Sequence, residues 1–113
     1  MVKNSDIVNK ELKDFINLLK DSYNLFAVVL FGSYADGRQS EYSDIDIAVF
    51  SEDFGDNPLE DMQKLFKLRR SIDPDIEPLP FKKDVYFQHD KTDFVNDIII
   101  KGKIIYKDGQ ILI

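Results

Sequence analysis

Apolar and polar positions change period several times along the chain, and each change marks an element. Val8, Leu12, Phe15, Ile16 and Leu19 recur at three- and four-residue spacing. That stripe predicts a helix capped by Asn4 or Ser5 and running to about Ser22. Leu25 to Phe31 is an unbroken apolar run rich in β-branched and aromatic residues, as expected of a strand covered on both faces. Gly32-Ser33 ends it, with room for a short helix starting near Ser33. Ile45, Ile47 and Val49 then alternate with Asp46, Ala48 and Phe50 in a second, mostly buried strand that opens on Asp44 and Asp46.

The second half is punctuated by prolines and glycines. Asn57 as cap, Pro58 at the first position and Glu60 and Asp61 in the first turn predict another helix. Leu59, Met62, Leu65 and Phe66 make its expected buried face, and Lys67, Arg69 and Arg70 suit the negative end of its dipole. A short strand is expected from Asp75 to Leu79, near an edge because Pro74, Pro78 and Pro80 cluster there. Asp90 or Thr92 can cap a helix through Ile100, stopped by Gly102. Ile104–Tyr106 and Ile111–Ile113, joined around Asp108-Gly109, read as a small hairpin. The sum is an α+β fold, a small mixed sheet with helices packed on it, in one domain over residues 1–113.

The candidate chemistry sits at the junction of the first two strands. Asp44 and Asp46 share a strand face by the period-two rule, and two like charges there repel. A hard cation such as Mg²⁺, which favours one or two carboxylates plus water and substrate phosphates, relieves that repulsion. Gly32 lets the backbone approach a ligand, and the Gly32-Ser33 bend suits phosphate. Bend and carboxylates face one cleft only if the two strands lie antiparallel and adjacent. A two-metal site needs a further acid. Asp75 and Glu77, on one face of the third strand, are the candidates.

The totals narrow the partners. The 113 residues include no Cys, which removes disulfides and thiolate metal sites and makes a cytoplasmic address the default. No apolar run approaches the roughly 18 residues of a membrane span. A formal net charge of −6 argues against extensive nucleic-acid binding, which calls for a basic face. A nucleoside triphosphate carried with its own metal remains compatible. Gly32 to Gly37 matches the first half of a P-loop, but Arg38 and Gln39 stand where Lys and Ser or Thr are required. His89, the only histidine, has no sequence neighbour that would make it catalytic and reads as a surface or capping residue. Arg38 is a candidate phosphate ligand.

Gly32-Ser33 followed by Asp44-Ile45-Asp46, with Gly37 and Ser43 between them, resembles the Gly-Ser…Asp-x-Asp signature of the DNA polymerase β-like nucleotidyltransferases. The short length is similar to that of the minimal nucleotidyltransferases (the MNT group). The resemblance implies a metal-dependent enzyme. It would move a nucleoside monophosphate, AMP from ATP, onto a hydroxyl acceptor with two Mg²⁺ ions. Asp44, Asp46 and Glu77 would be the metal-holding and catalytic residues, and Gly32, Ser33 and Arg38 the nucleotide contacts. Glu77 is preferred to Asp75 because Ile76-Glu77-Pro78-Leu79-Pro80-Phe81 resembles a segment that carries the third acid in that group. It further implies a HEPN-type helical partner in a toxin–antitoxin pair, with homo-oligomer formation open. The rival expectation is a non-catalytic module of the same fold that neutralises its partner by contact.

Overall fold

A computed structural model describes residues 5–37 and 44–113, the side chains of Ser5, Ser33 and Asp36 excepted. Ten elements follow one another: α1 (Ser5–Ser22), β1 (Leu25–Phe31), α2 (Ser33–Asp36), β2 (Ile45–Ser51), α3 (Pro58–Arg69), β3 (Ile76–Lys82), α4 (Lys83–Phe87), α5 (Phe94–Lys101), β4 (Lys103–Lys107) and β5 (Gln110–Ile111). The five strands form one mixed sheet in the order β3-β2-β1-β4-β5. β1 runs antiparallel to both β2 and β4, while β3 runs parallel to β2. Among the described residues no helix is long and apolar enough to cross a membrane.

The sheet is covered on both faces, which is why β1 and β2 are apolar at nearly every position. On one side Val8, Leu12, Phe15, Ile16 and Leu19 of α1, with Leu65 of α3, pack against Val28, Leu30, Ile45, Ile47, Val49 and Ile76. On the other, Val95 and Ile98 of α5 meet Ala27, Val29, Ala48 and Phe50, with Val85 and Tyr86 of α4 alongside. Phe26 joins Ala27 on that second face because a register shift between Leu25 and Ala27 turns consecutive side chains the same way.

Several expectations change in detail. The Asn57 side chain caps α3, accepting from the Glu60 N–H at 3.2 Å. Of the expected buried face of α3, Leu65 is buried, Met62 and Phe66 are half-buried and Leu59 is exposed, while Leu68 also packs half-buried against the core. β3 continues past Pro78 and Pro80 to Lys82 and is an edge strand. The Ile45 N–H donates to the Asp75 carbonyl, so odd positions of β3 turn their backbone toward β2. Pro78 and Pro80 therefore face the open edge, where a missing N–H costs no ladder bond. α4 had no sequence signal. α5 starts at Phe94, later than Asp90 or Thr92 implied. Gly102 ends it with an ordinary negative φ. A Cβ there would meet the Ile98 carbonyl oxygen, Val29 Cγ1 at 2.7 Å and the Leu30 carbonyl oxygen at 2.8 Å, so tight contact with β1 requires the glycine. The hairpin turns at Asp108 (φ 50°) and Gly109 (φ 87°), and β4 extends the main sheet beside β1.

Candidate active site

The β1–β2 register sets the geometry. Phe31 pairs with Asp46, so the bend leaving β1 lies beside the start of β2, as the antiparallel expectation required. Gly32 has φ +73° and its missing Cβ would collide with the Asp46 carboxylate. Two independent constraints, a left-handed backbone and a close carboxylate, thus fall on one residue. Ser33 starts α2 directly after it. Asp44 immediately precedes β2 and is exposed.

β3 brings the third acid. Its parallel register places Glu77 opposite Asp46, with Ile76 opposite Ile45. Ile76 packs into the α1–α3 core, so Glu77 turns to the other face, the one Asp46 shares with Ala48 and Phe50. Asp75 lies one residue before β3 and is exposed, its N–H taken at 2.8 Å by Oδ1 of the buried Asp73. The acids act on one another. Burial raises the Asp46 carboxyl above the ordinary aspartate range, and the charges of Asp44 and Glu77 push it the same way.

Arg69, which the sequence suggested only as a helix-dipole charge, adds a cation to this cluster. Its Nη1 donates to the Ile76 carbonyl at 2.8 Å and to Glu77 Oε1 at 3.2 Å, while the guanidinium lies 4.2 Å from the Phe66 ring centre. The signal that could have found it is its spacing: the last turn of α3 leads straight back to the start of β3. His89 is no part of the cluster, with its Nδ1 2.8 Å from the Val85 carbonyl oxygen. Arg38 and Ser43 lie outside the described residues.

Whether these residues suit a divalent ion turns on their chemistry. All the donors are carboxylate oxygens, the kind Mg²⁺ takes, and the mutual repulsion at Asp46 is what a cation would relieve. Among the described residues, though, no group of three or more such side chains is already gathered closely enough to hold an ion. Glu77 is turned to Arg69 through one oxygen. The set fits Mg²⁺ in kind, with closure left to movement of side chains or to phosphate oxygens.

A mixed sheet that seats a Gly-Ser bend against an Asp-x-Asp pair, with helices behind it, is the architecture of nucleotidyl-transfer enzymes. Residues 13–110 match the family model described as Polymerase beta, Nucleotidyltransferase. The chain belongs to that family and is a minimal nucleotidyltransferase of the polymerase β-like superfamily. It is 34% identical over 97 residues to "Putative protein adenylyltransferase MJ0141" of Methanocaldococcus jannaschii, covering 82% of this chain and 89% of that one. It is 41% identical over 96 residues to protein adenylyltransferase MntA of Shewanella oneidensis, covering 84% of this chain and 64% of MntA. A crystal structure of a toxin–antitoxin with AMP-PNP superposes with a TM-score of 0.55 at 28% identity, over 88% of this chain and 73% of that one.

Proposed function

We propose that the protein transfers AMP from ATP to a hydroxyl group on a partner protein, in the manner of an antitoxin acting on a HEPN-type helical toxin in the cytoplasm. The observation that carries this reading is the β1–β2 register, which seats the Gly32 bend against Asp46. The adenylyltransferase relatives and the toxin–antitoxin likeness support the choice of nucleotide and of acceptor. In this reading the triphosphate rests on Gly32 and Ser33, with Arg38 reaching its oxygens. Asp44 and Asp46 would hold Mg²⁺, and Glu77 would complete the donor set for a second ion. When bound, the metal ions neutralise phosphate charge and lower the pKa of the acceptor hydroxyl. Glu77 orients that hydroxyl and favours its deprotonated form. The acceptor oxygen gives up its proton to the Glu77 carboxylate and bonds to the α-phosphorus as the bond to the bridging oxygen breaks, and pyrophosphate leaves.

The pairing of Glu77 with Arg69 favours a second reading, a non-catalytic module that neutralises its partner by contact. Calorimetry with Mg-ATP, followed by mass spectrometry of a HEPN-type protein incubated with the chain and Mg-ATP, separates the two. Nucleotide binding and addition of one AMP, both lost in Asp44→Asn and Asp46→Asn, are expected. Neutralisation of the partner with no bound nucleotide would establish the contact module instead.

A further inference from the structure

Between the Gly32 bend and α5 lies a cavity of about 130 Å³ lined by Phe31, Gly32, Phe94, Asp97, Ile98 and Lys101. Phe31 pairs with Asp46 across the β1–β2 ladder, and directly opposed residues point to the same face. The cavity therefore opens on the carboxylate face, and Gly32 belongs to both. Its wall is aromatic. The Phe94 ring stands edge-on to Phe31, with centres 6.0 Å apart and planes at 85°, yet the residue stays 60% exposed. Val95 and Ile98 already seat α5 on the sheet, so anchoring the helix does not need Phe94. A large ring exposed beside the bend proposed to bind phosphate offers a flat apolar ligand a surface to stack on.

We infer that this cavity receives the base of the nucleoside triphosphate. The inference rests on the nucleotidyl-transfer reading and adds the subsite that holds the other end of the substrate. With the phosphates at Gly32, the Phe31–Phe94 pair is an aromatic surface beside them on that face, and a base stacks on a ring it reaches. Lys101 supplies a cation at the cavity wall for the sugar-phosphate. Asp97 supplies an acceptor for an exocyclic amino group, the feature adenine offers.

Calorimetry on the full chain with two probes, Mg-ATP and Mg-tripolyphosphate, tests it. Wild type is expected to bind Mg-ATP more tightly than tripolyphosphate. Phe94→Ala is expected to weaken Mg-ATP about tenfold, leaving tripolyphosphate unchanged, and Phe94→Tyr to keep wild-type affinity for both. Three results would overturn the assignment: equal wild-type affinity for the two probes, unchanged ATP affinity in Phe94→Ala, or parallel loss of both probes in that variant. Any of these leaves the phosphate site standing. Failure of wild type to bind either probe would remove the nucleotide reading itself.

Discussion

Asp46 is held in an unfavourable place, part-buried, beside Asp44 and opposite Glu77, and against the bare Cα of Gly32. Its raised carboxyl pKa has a definite consequence for the metal-free chain. The folded state holds that proton more tightly than the unfolded state does, so Asp46 favours folding in acid. That favour is lost as pH rises from the ordinary aspartate value of about 3.9 through the raised native one. Asp46→Asn is expected to raise the melting temperature of the metal-free protein at neutral pH. The gain should shrink as pH falls through that window and be modest throughout, because the side chain is partly open to solvent. Thermal melts across pH check this; a variant less stable than wild type at neutral pH would show that Asp46 is not strained. Gly32 is a different case: its identity and the tight turn it permits were legible in the sequence, while its second constraint was not. The collision with Asp46 comes from a residue fourteen positions away.

Elements that carry a strong period were legible, and those that depend on neighbours were not. α1 and β1 occupy the spans their apolar patterns imply, because each buries a face that its own sequence defines. β3 and α4 differ, since prolines and a five-residue stretch say little until neighbouring elements pack against them. The link between α3 and β3 is of the same kind: Arg69 closes the turn by holding the Ile76 carbonyl and Glu77 together. Arg69→Met keeps an apolar stem against Phe66 and removes both bonds. It is expected to cost about 1 kcal/mol in urea denaturation, a partly exposed ion pair and one backbone hydrogen bond. Unchanged stability would mean that neither contact persists in solution. The corresponding change at Glu77, Glu77→Gln, tests catalysis and is expected to abolish transfer while nucleotide binding is largely kept.

Among the described residues the sheet has one long edge strand, β3, beside the carboxylates. Pro78 and Pro80 remove two outward N–H groups, and Arg69 covers the outward carbonyl of Ile76. Edge strands protected in this way resist pairing with a second copy. Replacing both prolines with valine restores a continuous donor row, and concentration-dependent self-association is expected by light scattering. A variant that stays as dispersed as wild type would assign protection of the edge to other features.

The sequence by itself determined the α+β class, the central apolar strands and the Gly-Ser and Asp-x-Asp residues, because local period and turn chemistry act over a few residues. The tertiary structure decided which acid faces Asp46, since a parallel register fixes pairing at every position and is set by packing on both sides of the sheet. It also decided that Arg69 meets Glu77 and that Phe94 meets Phe31 beside the Gly32 bend. Those pairs are made by elements folding back on one another, and no period within either segment encodes them.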